Sequence, residues 1–353
     1  TKTLFACLVL CPAASFLTAA EPALPRTDPA AVGMSAARLE KIGAALRSEI
    51  DSGSIPGAVV GIARRGKLVY YEAFGFLDKA RGIAMPLDAI FPIASMTKPL
   101  TATGALMLVE EGRLLLSDPV GKYLPQLAAM RVATELGTEA ARRQPSLQDL
   151  MRHTAGLTYG SATGGELLKR YYELTPAERT PAEFIGLLGQ LPLHYQPGTR
   201  WDYGLGHEVM GVVIETLTRQ RLADYLSSRL FQPLGMPDTG FFVPSLKMSR
   251  VALLLEKDPI TGQPLNPTTR TLPPKLDSGG GGAYSTVMDY LRFAEMLRRQ
   301  GTFDGKRILG RKTVEFMTSD QLTPDISVDR LWVRENITGY GFGLSVAVRR
   351  EAG

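Results

Sequence analysis

Residues 91–112, FPIASMTKPLTATGALMLVEEG, decide how this chain is read. From Pro99 onward nearly every residue is apolar or small, the composition of a helix buried on all sides. Gly112 stands where a C-terminal cap is expected. Ser95 and Lys98 open the segment three residues apart, a spacing that puts both on one helical face. A serine hydroxyl is a weak nucleophile until a base takes its proton. A lysine can be that base if burial and the positive end of a helix dipole lower its pKa. Free N–H groups in the first helical turn also suit an oxyanion. Pro99 costs that turn little, although it biases Lys98 away from helical geometry. By itself S-x-x-K decides nothing, because a capping serine followed by a surface lysine satisfies it equally well.

The rest of the chain sets bounds. Its 353 residues suffice for one large domain or two interleaved ones. Apolar residues make up 44% and charged residues 21%, an ordinary globular balance. No apolar run reaches the length of a membrane span. The formal net charge of +5 is spread over pairs such as Arg64-Arg65, Arg142-Arg143 and Arg298-Arg299. These pairs lack interleaved aromatics and read as solvated surface, which argues against a nucleic-acid partner. Residues 1–20 combine Lys2, an apolar middle and small terminal residues, the pattern of a bacterial secretory signal cleaved near Ala20. A periplasmic or secreted location is therefore expected. Both cysteines, Cys7 and Cys11, lie inside that segment, so the mature chain should have no thiol chemistry. Nothing clusters with ligand spacing, and neither a metal nor another cofactor is expected. Oligomeric state is not legible.

Ser35 can cap a helix carrying Leu39, Ile42, Leu46 and Ile50 on one face. Residues 58–76 read as two strands joined at Arg65-Gly66, an antiparallel hairpin. Helical patterns follow at 146–153, 181–191, 206–219 and 222–231. A Pro-rich loop over 257–277 leads to SGGGG (278–282) and a helix from Thr286. GYGFGLSVAVRR (339–350) returns to a strand pattern. The sum is an α/β (α+β) fold, an antiparallel sheet flanked by helices with an inserted all-helical domain. In residue terms, 21–117 and 276–353 form the α/β part and 118–275 the mostly helical part.

A second chemical candidate is Tyr203, just ahead of a helix with Val209, Met210, Val213 and Leu217 on one face. A phenol beside a buried ammonium can exchange protons with a serine oxygen. An aromatic core plug fits the same position. His153 reads as a structural residue at a helix-to-loop turn, and His207 as a partly exposed helix residue.

SMTK (95–98), LMRHTAGL (150–157), PGTRWDYGLGHEVMGVVIE (197–215), LFQPLGMPDTGF (230–241) and SGGGGAYSTVMDYLRFAEML (278–297) occur in this order. Together they resemble the serine β-lactamase-like family, and within it the family VIII carboxylesterases, cousins of class C β-lactamases and DD-peptidases. The resemblance implies an active site between the α/β and helical parts. It implies Ser95 as nucleophile, Lys98 as base and Tyr203 as a proton-shuttling tyrosine, the first position of the family's Y-x-N motif. Tyr123 falls where the family often lines its cleft, and Leu205 occupies the third Y-x-N position, where lactam-acting members carry an amide. Both are therefore expected substrate contacts.

The implied activity is hydrolysis of short-chain carboxylic esters through an acyl-enzyme, with β-lactams as a second substrate class and no cofactor. A class C-like β-lactamase or DD-peptidase is the alternative enzyme reading. A catalytically silent penicillin-recognising or cell-wall-binding protein is the alternative outside enzymes. The third family motif, K-T-G-like or its H-x-G or W-x-G variants, is not found. Lys312-Thr313-Val314 is a decoy in a helical stretch, and the family pattern leads one to expect further residues beyond Gly353.

Overall fold

The computed structural model describes residues 24–265, 269–326, 328 and 339–351. The expected leader, residues 1–20, lies outside them. Helix α1 (Ala36–Asp51) begins where the Ser35 hydroxyl accepts the N–H of Arg38. Its Leu39 and Ile50 pack with Tyr70 and Phe74 of the sheet. Strands β1 (Gly57–Arg64) and β2 (Lys67–Asp78) pair antiparallel, with Gly57 opposite Gly75 and Arg64 opposite Lys67. Arg65 and Gly66 both take positive φ, 53° and 78°. That is the two-residue turn whose twist matches paired strands. β3 (Ile83–Ala84) adds to β2, giving the order β1-β2-β3. The helix Val287–Arg298, capped by Thr286, lies against β1. The sheet is thus covered by helices in the α/β manner expected.

Helix α2 (Thr97–Glu110) is buried without a break from Thr97 through Leu108, apart from partial exposure at Pro99. It is enclosed by the helices Gly206–Thr218 and Leu222–Leu226. Burial of each large side chain, such as Leu100, Leu106 or Leu108, contributes about 1.5–3 kcal/mol. Polar members are satisfied in place: the Thr103 hydroxyl donates to Pro99 O at 2.8 Å and the Thr101 hydroxyl to Gly279 O at 2.8 Å. Gly112, at φ 67°, turns the chain out of the helix. Pro99 lies in the first turn, where a missing N–H loses no helical bond. Lys98 is accordingly helical, against the bias expected from its neighbour.

Most of the remaining helical patterns are present: Leu147–Met151, Pro181–Leu188, Gly206–Thr218, and Leu222–Leu226 continuing as a π-turn over Ser227–Phe231. Two segments differ from expectation. A hairpin, Arg131–Thr134 with Gly137–Ala140, lies in the stretch read as mostly helical. The pattern at 339–350 folds as a short hairpin, Tyr340–Phe342 against Ala347–Arg349, since Ser345 at φ 74° reverses the chain.

One pairing positions the site. Phe91–Pro92 lies antiparallel to Tyr284–Ser285, which brings the glycine segment 278–282 onto the start of α2. Glycine is needed there for close approach. A Cβ at Gly279 would overlap the His207 carbonyl oxygen, and one at Gly280 would overlap Glu208 Oε1. Gly281 is different, its nearest would-be neighbour being 3.9 Å away. Gly279→Ala should therefore cost about 1–3 kcal/mol, because the obstacle is backbone. Gly281→Ala should stay within ~0.5 kcal/mol of the parent. Urea unfolding of the two variants side by side checks this.

Candidate active site

The turn Ala94–Met96 precedes α2 and carries Ser95. Ile93 N–H donates to Ala283 O at 3.0 Å. The buried Thr97 hydroxyl donates to Ala94 O at 2.7 Å and accepts Ala283 N–H at 3.1 Å. These bonds hold Ala94 at φ +43°, a left-handed setting that costs a residue with a Cβ roughly 1–2 kcal/mol. The strained turn leaves Ser95 exposed, while Lys98, one turn further on, is only 2% exposed.

Lys98 Nζ donates to Gly280 O at 2.7 Å, to Tyr159 Oη at 3.0 Å and to Ser95 Oγ at 3.2 Å. An ammonium has three hydrogens, so each has an acceptor. Tyr203 meets the amine through its ring, with Nζ 4.5 Å from the ring centroid, within cation–π range. Tyr159 Oη in turn donates to Glu208 Oε1 at 3.1 Å, and Ser278 Oγ donates to the same oxygen at 3.3 Å. Burial, then the nearby Glu208 charge, push the Tyr159 phenol well above its ordinary value. Burial also raises the Glu208 carboxyl, a rise that Lys98 opposes. A primary amine within reach of an exposed serine, with phenol and carboxyl behind it, can take the serine's proton and return it to a leaving group.

Tyr203 is fixed from behind. Its ring stacks 4.4 Å from His153 and 5.9 Å from Trp201. The next N–H, Gly204, donates to His153 Nδ1 at 3.3 Å. Burial and then the Lys98 charge push His153 well below the ordinary histidine range. Burial, His153 and Lys98 do the same to His207. Both rings are neutral at pH 7. His207, read from sequence as partly exposed, is 0% exposed and its Nε2 meets Ser345 Oγ, because the strand hairpin at 340–349 closes over that helix face.

The loop carrying His153 and Thr154 is tied to Asp149. Its carboxylate accepts from Arg143, from Arg152 at 2.9 Å, from Ser146 N–H and Oγ at 2.9 Å, and from Thr154 Oγ1 at 2.8 Å. Burial alone would raise this carboxyl. The Arg143 bond, the Ser146 N–H and Arg152 outweigh it and hold the group at about 2.

The structure therefore brings Ser95, Lys98 and Tyr203 together. It does not bring the other two candidates to them. Leu205, expected as a substrate contact, is 2% exposed and packs in the main apolar core at the start of the helix Gly206–Thr218. Tyr123 stands in a separate cluster, its hydroxyl on Asp118 and its ring beneath Lys122 Nζ. Tyr159 and Glu208 were not singled out from sequence. Tyr159 lies two residues beyond LMRHTAGL and Glu208 five beyond Tyr203, which is the signal that could have found them. Lys312 sits in the helix Arg311–Met317 and pairs with Glu315 at 2.6 Å, as a decoy should. Among the described residues no group of His, Cys, Asp and Glu is placed to hold a metal ion, and no helix is long and apolar enough to cross a membrane.

The sequence model of the family described as Beta-lactamase matches residues 39–353. The chain belongs to the Beta-lactamase family. Within that family it is similar to Protein Rv1367c of Mycobacterium tuberculosis, at 36% identity over 86% of this chain and 78% of that protein. It is similar to Esterase EstB of Burkholderia gladioli at 30% identity over 78% of this chain and 74% of EstB. Among solved structures it matches EstCE1, described as a hydrolase with promiscuous acyltransferase activity. That match has a TM-score of 0.71 at 26% identity, and covers 89% of this chain and 83% of EstCE1. The Beta-lactamase fold and a serine hydrolase superfamily with esterase relatives follow from these matches.

Asp149 supplies a pH test of this family scaffold. Its folded value lies below the unfolded one, so its contribution is complete above the unfolded carboxyl value and is lost as pH falls toward about 2. Asp149→Asn should cost about 3–5 kcal/mol near neutral pH, since two arginines lose their shared carboxylate. The gap between parent and variant should narrow steadily from pH 5 to pH 2.5 in urea unfolding, and a gap that stays constant contradicts the assignment.

Proposed function

We propose that this chain is an exported carboxylesterase of the family VIII kind, cleaving short-chain esters of small molecules through an acyl-enzyme. The observation that carries the reading is the 3.2 Å approach of buried Lys98 Nζ to the exposed Ser95 Oγ. Ser95 Oγ attacks the ester carbonyl as its proton passes to Lys98. The tetrahedral intermediate collapses, Lys98 returns the proton to the departing alkoxide, and the acyl group stays on Ser95. Water then attacks the acyl-enzyme as its proton passes to Lys98, and the second tetrahedral intermediate collapses to the carboxylic acid as the Ser95 C–O bond breaks and Lys98 returns the proton to Oγ. Tyr203 holds its ring against the amine and steadies the cation formed at each step. An alcohol entering in place of water would give transfer instead of hydrolysis, and the EstCE1 relationship supports that side reaction.

Esters are favoured over β-lactams by one residue. Leu205 offers no amide where lactam-acting relatives carry one, and its burial keeps it from a substrate. An unpaired amide on a lactam side chain costs on the order of 1–3 kcal/mol, roughly ten- to a hundred-fold in kcat/KM. Export rests on the leader-like residues 1–20 alone.

Ser95→Ala should lower hydrolysis of p-nitrophenyl butyrate by on the order of 10^4-fold or more while the thermal transition is retained. An alkyl phosphonate should label the parent once, on Ser95, as read by peptide mass spectrometry. Parent enzyme should turn over the butyrate ester at least about ten-fold faster than a chromogenic cephalosporin. A label on another residue ends the serine assignment, and a faster cephalosporin reaction replaces esterase by lactamase.

A further inference from the structure

Glu208 is a buried acid to which the mechanism above gives no task. It is 3% exposed, on the first turn of the helix Gly206–Thr218. Oε1 accepts from Tyr159 and Ser278, while Oε2 has no partner among the described residues. A carboxylate with one oxygen unpaired in the interior is costly, and a carboxylic acid much less so. Two atoms away the opposite difficulty stands: Lys98 has all three hydrogens engaged and must lose one before it can act as a base. The two problems share one proton, and a hydroxyl lies between them at 3.0 and 3.1 Å.

We propose that Glu208 stores the proton that Lys98 must give up, receiving it through the hydroxyl of Tyr159. This inference rests on the reading of Lys98 as the base for Ser95. In the step, one Nζ–H bond of Lys98 breaks as an O–H bond forms on Tyr159. The original O–H bond of Tyr159 breaks as one forms on Glu208 Oε1. The products are a neutral amine, a neutral phenol and a carboxylic acid. Rotation about the Lys98 Cε–Nζ bond then points the lone pair at Ser95 Oγ. No proton is exchanged with water, so the ready form persists across the pH range between the two macroscopic ionisations of the pair.

The surroundings suit this. The groups packed about Glu208 and Lys98 are Tyr159, Tyr203, Ser278, the Gly280 carbonyl, His153 and His207. Both histidines are held neutral, by burial first and then by charge at Lys98. Lys98 and Glu208 are thus the acid–base pair of the proposal, with the Tyr159 hydroxyl between them. Glu208 touches no reacting atom and acts through Lys98.

The test is the pH dependence of kcat/KM for p-nitrophenyl butyrate, corrected for spontaneous hydrolysis, in the parent, Glu208→Gln and Tyr159→Phe. Glutamine keeps an oxygen for Tyr159 and Ser278 but cannot take the proton, so Lys98 must release it to solvent. The acid limb should move upward by about one pH unit or more, with activity recovering at alkaline pH. A Glu208 that stays ionised and only pairs with the lysine gives the opposite sign: its removal makes Lys98 easier to deprotonate, and the limb moves down. A downward or unmoved limb overturns the proposal. Should Glu208→Gln fail to fold, Tyr159→Phe cuts the path while leaving both ends, so kcat/KM should fall by about ten-fold or more across the pH range, and a rate equal to the parent's overturns the proposal. Phosphonate labelling of Ser95 at pH 9 in each variant separates this outcome from failure of the serine reading. Loss of the label faults the nucleophile, whereas a retained label with an unmoved limb in Glu208→Gln, or with a parent-like rate in Tyr159→Phe, faults the proton store.

Discussion

A single ammonium group, kept almost dry at the first turn of a core helix, sets the terms for everything around it. Taking such a charge out of water costs several kcal/mol unless its hydrogen bonds are replaced. Here Gly280, Tyr159 and Ser95 replace them, and the face of Tyr203 covers the remaining side. The arrangement asks for a backbone carbonyl pressed against the helix, which asks in turn for glycine where the loop passes His207 and Glu208. It also dictates the state of its neighbours. His153 and His207 lie within 5.0 Å of one another, ring to ring, and both must stay uncharged beside the lysine. That frees them for structural work, and His153 uses its Nδ1 to fix the backbone beyond Tyr203.

The serine needs the reverse treatment. It faces water while Lys98 does not, within three residues of chain. Left-handed backbone at Ala94 provides the change of direction, and Thr97 bridges Ala94 and Ala283 so that the turn cannot relax. Reactivity is thus written into backbone shape as much as into side-chain identity. Asp149 performs the matching task on the opposite wall, anchoring the loop from which His153 supports Tyr203.

Local rules explain which parts could be read in advance. The hairpin at Arg65-Gly66 follows from a two-residue turn between strand patterns, and α2 from an unbroken apolar run. Ser95 and Lys98 share a helical face, so their meeting is settled by four consecutive residues. Tyr203 joined them through motif resemblance, since no local rule links residue 98 to residue 203. Tyr159 and Glu208 escaped for that reason: the bonds from Tyr159 to Lys98 and to Glu208 exist only after distant segments pack. Motif position alone does not say where the Leu205 side chain goes, and an apolar side chain follows the core. His207 misled because helical periodicity gives a face without saying what covers it, and here the terminal hairpin does.

The pairing of Phe91–Pro92 with Tyr284–Ser285 has a consequence in time as well as in space. The contact between Lys98 and Gly280 spans 182 residues, and that between Thr97 and Ala283 spans 186. Loops of this size close late, because their entropy must be spent before the contact rewards it. On a ribosome adding about 5–20 residues per second, Ser95 and Lys98 emerge roughly 10–40 s before the carbonyl that completes their site. During that interval the serine has a lysine neighbour but no enclosure to dry it. The enclosure of Lys98 is therefore a property of the closed chain and not of the helix that bears it.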